Sequence, residues 1–311
     1  MIIYLDKPGE GELAFKRFTF PDGQAHCEFD PATLTKAARN GEIALIGAIK
    51  SGNDVLNIAL ALDAVRSAFS PPYPAITLNI SYLLGARMDR RIADGQPATL
   101  AVITQLLNAC TAGLTAVRVL DPHSPVTLAS LKGSVALHPD ALVALALAHV
   151  ERCDGRAPVV GIPDAGAIAR TKGILARLHA PHDIARCSKK RDSQTGKLSG
   201  FQLDEGDVTG RSVVIVDDIC DGGGTFAGIA AVLRAQGAAR VMLCVTHGIF
   251  SKGIEIAGID GIFCTDSCGL PNSAGYEISA DHDEASLLLY KKSGKLGLTV
   301  MTQFVEKILH A

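Results

Sequence analysis

The chain has 311 residues, a length that suits two domains of ordinary size or one large one. Its composition, 48% hydrophobic with 31 glycines and no tryptophan, is typical of an α/β protein with a core of Ala, Val, Ile and Leu. The formal net charge of −2 gives no global positive field that would recruit nucleic acid or an anionic membrane. Anionic ligands must therefore be bound by local arginines, lysines and glycine-rich loops.

The N-terminus lacks the pattern of a signal peptide, because it carries acidic residues from Asp6 onward and no apolar core of sufficient length. The apolar run 141–148 has only eight residues, which is too short to span a membrane. We therefore expect a cytoplasmic protein. The eight scattered cysteines indicate reduced, buried thiols. Cys264 and Cys268 form a C-x3-C pair, but no second pair lies nearby, which argues against a zinc site.

The first half of the chain alternates between strand and helix patterns. Apolar runs predict buried strands at 43–49, 75–80 and 116–120. A helix capped by Asn53 and Asp54 follows the first of them, and a second helix begins at Pro97 and ends at Gly113. The apolar positions of that second helix are Leu100, Ile103, Leu106, Leu107 and Cys110. The proline-containing stretch 121–139 is interpreted as the junction between the two halves.

Three groups of residues in this half are candidates for ligand binding. Residues 18–24 form a strand end and a Pro-Asp-Gly turn, which alone indicates only a hairpin. The stretch 81–91, SYLLGARMDRR, places several arginines after a predicted strand, where open α/β sheets bind ligands and where guanidinium groups suit a polyphosphate. A solvated loop would have the same composition. His123 also follows a strand, but a lone histidine in such a position is more often structural than a ligand.

A second alternation follows. Helices are predicted at 139–150 and 165–178, with a strand at 158–162 that leads into Asp164 in the sequence P-D-A-G. The polar, basic stretch 187–196 is predicted to be a loop. From composition alone its cations Lys189, Lys190 and Arg191 would simply be solvated. Further strands are predicted at 241–245 and 261–264.

The most informative stretch is 213–226, VVIVDDICDGGGTF. Four apolar residues predict a short buried strand, and the apolar spacing becomes helical from Phe226 to Gly237. Glycines let the backbone approach a phosphate closely, and a helix N-terminus offers unpaired N–H groups. Adjacent carboxylates would repel a phosphate, so Asp217 and Asp218 indicate a ligand with donors beside it, such as a vicinal diol or hydrated magnesium. A ribose phosphate meets both demands, although a plain βα turn with solvated aspartates has the same pattern.

This stretch closely resembles the ribose-phosphate-binding loop of type I phosphoribosyltransferases and of ribose-phosphate diphosphokinases (PRPP synthetases). The diphosphokinases have the pattern DDxxDxxGT, whereas the transferases usually carry Thr or Ser at the position of Asp221. The sequence therefore resembles the diphosphokinases. That resemblance implies that the aspartates hold the ribose hydroxyls and assist metal binding, while the loop cradles the 5-phosphate. The residues concerned are Asp217, Asp218, Asp221, Gly222, Gly223, Gly224 and Thr225.

Other motifs extend the resemblance over roughly residues 15 to 290. Residues 20–24 resemble the family's F-S-D-G-E stretch and 87–90 its R-Q-D-R motif, both of which bind ATP, with Pro21, Gln24 and Met88 as departures. Asp121-Pro-His123 resembles the D-L-H motif whose histidine ligates the magnesium of MgATP, and Asp164 falls on an aspartate of the metal and ribose site. The K-x-R of the family's mobile loop matches Lys189 and Arg191, which would stabilise the transferring diphosphate. The implied ATP-binding residues are Phe20, Asp22, Gln24, Arg87, Met88, Asp89, Arg90 and His123.

The family resemblance implies two related αβα domains of the phosphoribosyltransferase type with mostly parallel sheets. We predict an ATP-binding domain at 1–132, a ribose-phosphate-binding domain at 133–290, and a segment 291–311 that packs back on the first. The expected reaction is transfer of the β,γ-diphosphate of MgATP to ribose 5-phosphate by a homo-oligomer, a dimer or a hexamer, that binds neither nucleic acid nor membranes.

Three alternatives to this reaction remain open. The glycines at 222 and 223 could leave a roomier pocket that admits a larger acceptor such as ADP-ribose. The chain could also be a type I phosphoribosyltransferase that uses PRPP and a base. Finally, it could be an inactive regulatory homologue.

Overall fold

The computed structural model describes residues 2–5, 15–38, 42–69, 73–179, 181–191, 198–269, 276–280, 286–291, 297–301 and 308–309. The chain folds into two compact units. One comprises Met1–Leu137 with Val305–Ala311, and the other comprises His138–Phe304. The expected α/β class with parallel sheets is confirmed in both units.

The first unit is built on a five-stranded parallel sheet in the order β1-β4-β5-β6-β7. Its buried core joins apolar residues of the sheet to the inner sides of the helices α2 and α3. The hairpin β2–β3 pairs separately. The elements are β1 (Ile2–Tyr4), β2 (Phe15–Thr19), β3 (Ala25–Phe29), α1 (Pro31–Ala38), β4 (Glu42–Ile49), α2 (Gly52–Ser67), β5 (Ala75–Leu83), α3 (Thr99–Cys110), β6 (Ala116–Leu120), α4 (Pro125–Ser130) and β7 (Ser134–Leu137).

The structure corrects two predictions in this unit. Helix α2 is capped by Ser51, because Asp54 sits at the third helical position and closes a capping box with it. Leu106 is 53% exposed, since it lies on the outer side of α3. The predicted junction 121–139 includes the boundary between the two units, and it also contains α4 and the edge strand β7.

The second unit contains a nine-stranded mixed sheet in the order β10-β9-β8-β11-β12-β13-β16-β15-β14. Strand β11 lies between β8 and β12, all three parallel, and its residues from Val213 to Val216 are completely buried. The elements are α5 (Asp140–Asp154), β8 (Val159–Ile162), α6 (Ala167–Leu178), β9 (Ile184–Arg191), β10 (Leu198–Glu205), β11 (Ser212–Cys220), α7 (Gly224–Ala235), β12 (Arg240–Gly248), β13 (Gly261–Thr265), β14 (Tyr276–Ala280), β15 (Ser286–Lys291) and β16 (Gly297–Met301).

The predicted basic loop 187–196 is wrong over its first half. Residues 187–191 continue β9, which pairs in an antiparallel register with β10. The pairing of β9 with β8 ends at Ile162. Beyond that point β9 continues as a polar strand, and its polar composition gave no sign of a strand in the sequence. Residues 192–197 lie outside the described part of the chain.

The pairing of β7 and β16 shows to which sheet the ends of the two units belong. Strand β7 pairs with β6, and the boundary between the units falls between Leu137 and His138. Strand β16 pairs with β13 in the second sheet, whereas Val305–Ala311 belongs to the first unit. Within the described residues, no helix is both long and apolar enough to cross a membrane.

Candidate functional site

The carboxyl ends of several parallel strands carry the predicted site residues of the second unit. Strands β9, β8, β11 and β12 are neighbours and run parallel, so their carboxyl ends share one edge of the sheet. Asp164 follows β8, Lys189 lies near the end of β9, and Asp217 and Asp218 lie near the end of β11. The fold thus brings together side chains that are up to 54 positions apart in the sequence.

Asp217 and Asp218 belong to β11 itself, which runs four residues beyond the predicted strand. Asp218 is 5% exposed, and its backbone N–H donates to Asp217 Oδ1 over 3.0 Å. Burial, followed by the neighbouring Asp218 carboxylate, raises the pKa of Asp217 to about 8. Such a pair binds a proton at neutral pH unless a cation or a set of hydroxyl donors compensates its charge.

Arg170 is a site residue that the sequence analysis missed. Its Nη2 donates to the carbonyl oxygen of Asp217 over 3.2 Å and to Thr246 Oγ1 over 3.3 Å, so it joins β11 to β12 from α6. Its positive charge also lowers the pKa of Asp217, though by less than burial and Asp218 raise it. The sequence could have indicated this position of Arg170. It lies three residues after Ala167 and four before Ile174, so it shares the inner face of α6 on which both are buried.

Asp164 and Lys189 form an ion pair between the ends of β8 and β9. Lys189 Nζ donates to Asp164 Oδ2 over 2.8 Å, and both side chains are about one-third exposed. Asp164 Oδ1 accepts the backbone N–H groups of Gly166 (3.0 Å) and Ala167 (3.3 Å). Burial acts to raise the pKa of Asp164, but Lys189 and these N–H donors outweigh it and lower the pKa. The side chains of Lys190 and Arg191 lie outside the described part of the structure.

The glycine loop connects β11 to α7 as predicted, and the helix buries Phe226, Ile229, Ala230 and Leu233. Gly223 precedes the helix with φ 74° and ψ −7°, a left-handed conformation that glycine adopts without strain. Gly224 begins the helix, and a Cβ there would meet nothing within 4 Å. The loop therefore presents the N-terminus of α7 at the same sheet edge as the aspartates, an arrangement that suits an anion.

A segment after β12 covers one side of this loop. The N–H groups of Ile249 and Phe250 donate to the Cys220 carbonyl over 2.9 and 3.1 Å, and Ser251 Oγ donates to Asp221 Oδ1 over 2.5 Å. A Cβ on Gly222 would lie 3.3 Å from Lys252 Cδ, and one on Gly223 would lie 2.8 Å from Ile256 Cγ1.

The expectation that the missing side chains at 222 and 223 leave open space is therefore wrong. The space that side chains at 222 and 223 would need is filled by Lys252 and Ile256.

Buried hydrogen bonds stabilise the ends of β12 and β13 beside the site. Thr265 Oγ1 donates to the Thr246 carbonyl over 2.6 Å, and Ser267 Oγ lies 2.8 Å from His247 Nδ1. All four residues are at most 3% exposed. Such satisfied polar groups hold the strand ends in one geometry.

The first unit places its predicted residues at the carboxyl edge of its own sheet. Arg87 and Arg90 are exposed in the turn after β5, where the N–H of Met88 donates to the Gly85 carbonyl over 2.8 Å. His123 is exposed after the neighbouring strand β6. Before it, Asp121 is 4% exposed with φ 41°, an uncommon conformation for a residue other than glycine. The arginine motif and His123 thus follow two adjacent strands.

Phe20, Asp22 and Gln24 lie at the tip of the hairpin β2–β3. The N–H of Phe20 donates to the Gln24 carbonyl over 2.8 Å, and the N–H of Gln24 donates to Asp22 Oδ1 over 3.0 Å. The ring of Phe20 is 42% exposed and lies 5.1 Å from the Phe18 ring, edge to face. The tip presents an aromatic surface of the kind on which a planar base can stack.

Among the described residues, no three His, Cys, Asp or Glu side chains converge to form a metal site. Mg²⁺ usually binds through one or two carboxylates, several waters and substrate phosphates. Asp164 fits this role, because a carboxylate accepts about four hydrogen bonds and the contacts with Gly166, Ala167 and Lys189 use three. Its lowered pKa keeps the oxygens ionised.

Comparison with known proteins first gives the class. Residues 141–260, which include α6, β11 and the glycine loop, match the family model of the phosphoribosyl transferase domain. In fold, the chain is similar to phosphoribosylpyrophosphate synthetase from Mycobacterium smegmatis, with a TM-score of 0.70, 18% sequence identity, and coverage of 99% of this chain and 97% of that one. Fold and site together define a protein of the phosphoribosyltransferase-type class.

Sequence comparison then gives the family. The chain is 31% identical to ribose-phosphate pyrophosphokinase 1 of Listeria monocytogenes over 244 residues, which cover 76% of this chain and 72% of that protein. It is also 31% identical to the ribose-phosphate pyrophosphokinase of Granulibacter bethesdensis over 206 residues, covering 65% of this chain and 62%, less than two thirds, of that relative. The chain belongs to the ribose-phosphate pyrophosphokinase family, as the sequence motifs predicted.

Proposed function

We propose that the protein is a ribose-phosphate diphosphokinase that transfers the β,γ-diphosphate of ATP to the anomeric hydroxyl of ribose 5-phosphate, giving PRPP and AMP. The observation that carries this proposal is the junction of β11 with α7. It places the Asp217–Asp218 pair and a glycine-capped helix N-terminus at one sheet edge with the Lys189–Asp164 pair. Acidic groups suit sugar hydroxyls, the helix N-terminus suits the 5-phosphate, and the lysine suits the diphosphate.

In the proposed reaction the anomeric oxygen attacks the β-phosphorus of ATP and forms a new P–O bond. The bond between that phosphorus and the oxygen bridging to the α-phosphate breaks, AMP leaves with the bridging oxygen, and the hydroxyl proton is released to solvent. The protein must hold the two oxygens in line and neutralise charge on the phosphoryl group. Asp217, Asp218 and Asp221 would bind the ribose hydroxyls, and residues 222–225 would bind the 5-phosphate.

We assign neutralisation of the transferring diphosphate to Lys189 and Arg191. One well-placed cation contributes ~10³–10⁵ in the rate of phosphoryl transfer. The ion pair with Asp164 supports this role, because it fixes the lysine at the sheet edge that carries the aspartates.

ATP would be bound in the first unit, with Phe20 beside the adenine and Asp22, Gln24 and Met88 near it. Arg87 and Arg90 would bind the phosphates, and Asp89 belongs to the same ATP-binding motif. His123 would hold the magnesium of MgATP, which would neutralise charge on the ATP phosphates, and Asp164 would take part in metal and ribose binding in the second unit. The exposure of Phe20 and of the two arginines supports this assignment, since groups that stack on a base or bind phosphates must be accessible.

A direct assay tests the proposal. The purified protein is incubated with MgATP and, in separate reactions, ribose 5-phosphate or ADP-ribose, and the products are weighed by mass spectrometry. We expect AMP and a diphosphate on ribose 5-phosphate. Product on ADP-ribose alone would show a different acceptor, and ATP binding without AMP would show an inactive homologue. Activity with PRPP and a base, again without AMP, would show a phosphoribosyltransferase.

We further propose a cytoplasmic homo-oligomer, a dimer or a hexamer, that binds small-molecule substrates and neither nucleic acid nor membranes. The family resemblance and the net charge of −2 support this proposal. Light scattering after size exclusion would give the assembly, and cell fractionation would give the location.

A further inference from the structure

Lys252 lies against the glycine loop, although no motif indicated it. Its stem runs along Gly222, with Cδ, Cε and Cγ at 3.3, 3.4 and 3.7 Å from the position that a Cβ on Gly222 would take. The ammonium nitrogen is one bond of about 1.5 Å beyond Cε, so it lies within about 5 Å of that position. A cation therefore stands at the loop to which the 5-phosphate is assigned.

The backbone around Lys252 is fixed by the bonds described above. Ile249 and Phe250 are bound to the Cys220 carbonyl, and Ser251 is bound to Asp221. The N–H of Gly253 closes the turn by donating to the Phe250 carbonyl over 2.8 Å. Hydrogen bonds on both sides of Lys252 thus attach it to the acidic end of β11, so its position relative to the loop is determined by the fold.

The acidic residues around the glycine loop explain why a cation is needed beside it. The stretch 217–225 contains three aspartates and no basic residue, and Lys252 is the one basic residue of 249–253. Carboxylates repel a phosphate, and they repel a terminal monoester most, because it carries close to two negative charges at neutral pH. Backbone N–H groups alone offset this repulsion only in part.

We propose that Lys252 is a specificity-determining residue that neutralises the terminal 5-phosphate of the acceptor and so favours a phosphate monoester over a diphosphate diester. This proposal rests on the proposed function, since it deepens the assignment of the glycine loop. It selects ribose 5-phosphate rather than a ribose extended through its 5-phosphate.

Three variants separate the charge of Lys252 from its packing. Lys252→Met retains the apolar stem beside Gly222 and removes the charge, whereas Lys252→Arg retains the charge. Lys172→Met is the matched control, because Lys172 is exposed and lies on α6 rather than on the segment that covers the glycine loop. Binding of ribose 5-phosphate, PRPP and ADP-ribose is measured by calorimetry without ATP at one ionic strength, and kcat and KM are measured separately.

We expect Lys252→Met to raise the Kd of ribose 5-phosphate and of PRPP roughly tenfold, as for loss of one charge-assisted contact. The Kd of ADP-ribose should change less than threefold, and Lys252→Arg and Lys172→Met should bind like the wild type. The KM of ribose 5-phosphate should rise with kcat nearly unchanged. An unchanged Kd in Lys252→Met, or an equal loss for all three ligands, would overturn the proposal.

Gly222→Ala provides a second, independent test. Its methyl group would press on the stem of Lys252 at 3.3 Å, so ribose 5-phosphate should bind more weakly. Gly222→Ala should weaken the binding of ribose 5-phosphate less in the Lys252→Met background than in the wild type, since the cation is already lost there. Full additivity would contradict the proposal. Failure of the wild type to release AMP would overturn only the proposed function, because these binding ratios need no ATP. Failure of the wild type to bind ribose 5-phosphate or PRPP would overturn both.

Discussion

At the scale of single residues, the candidate site is defined by charges that compensate one another. Asp164 holds Lys189, and Arg170 and Asp218 act on Asp217 in opposite directions. Each carboxylate thus has a neighbour that sets its ionisation, a pattern that occurs where substrates or metals bind.

Replacement of Lys189 tests the role of this cation in the transfer. We expect Lys189→Ala to lower kcat at least about a hundredfold, because it removes charge from the transferring diphosphate, with little change in the affinity for ATP. Steady-state kinetics and ATP titration give the two quantities, with Lys172→Met as the control. Near-normal turnover in Lys189→Ala would show that the lysine has no part in the chemistry.

The raised pKa of Asp217 predicts a pH dependence of stability. A carboxyl group with a pKa of about 8 in the folded protein and near 3.8 in the unfolded chain binds more protons when folded. Its contribution to the free energy of unfolding is complete below about pH 4 and is lost as the pH rises through about 8.

Asp217→Asn should therefore flatten the decline in stability between pH 5 and 8. Urea titrations of the ligand-free wild type and variant across this range measure it. Parallel curves would show that Asp217 has an ordinary pKa.

At the scale of elements, the β11–α7 connection requires glycine for two different reasons. Gly223 needs a left-handed conformation, and its α-carbon faces Ile256 so closely that a methyl group would collide with it. Gly224 has neither constraint in the free protein, so its small size matters only if a ligand approaches the backbone there. Alanine substitutions at these two adjacent positions can therefore be compared directly.

We expect Gly223→Ala to lower the free energy of unfolding by about 1–3 kcal/mol through backbone strain and the clash with Ile256. Gly224→Ala should change it by less than about 0.5 kcal/mol. Chemical denaturation of both variants measures the difference. In a double-mutant cycle, Gly223→Ala should cost less stability in an Ile256→Ala background than in the wild type, because the clash is absent there. Equal costs would assign the whole effect to the conformation of residue 223.

At the scale of the whole molecule, the chain forms two units that each carry ligand-type residues at the carboxyl edge of a parallel sheet. The short strand β7 belongs by pairing to the first sheet, since Val117 to Leu120 align with Ser134 to Leu137. The predicted domain limit at residue 132 remains a prediction, and it can be tested against a limit at 137.

A fragment that ends at residue 132 would expose the hydrogen-bonding edge of β6, whereas one that ends at 137 keeps it covered. We expect the shorter fragment to melt at a lower temperature and to aggregate more. Circular dichroism and sedimentation of the two fragments make the comparison. Equal melting temperatures would show that β7 contributes nothing to the first unit.

The sequence by itself determined the local order of strand, acidic corner, glycine loop and helix at 212–235, because each part depends on neighbouring residues. It also predicted the α/β class and the family. It was wrong about 187–191, where strand pairing across the sheet overrode a polar composition, and about the helix cap at Ser51.

The tertiary structure decided which distant residues complete the site. Arg170 reaches Asp217 because β8 and β11 are neighbours, and Lys252 and Ile256 reach the glycines because β12 runs beside β11. Strand order is set by the packing of the entire sheet, so no local pattern contains these contacts. What the glycines alone suggested was empty space; the folded chain fills that space with the stem of a lysine and an isoleucine.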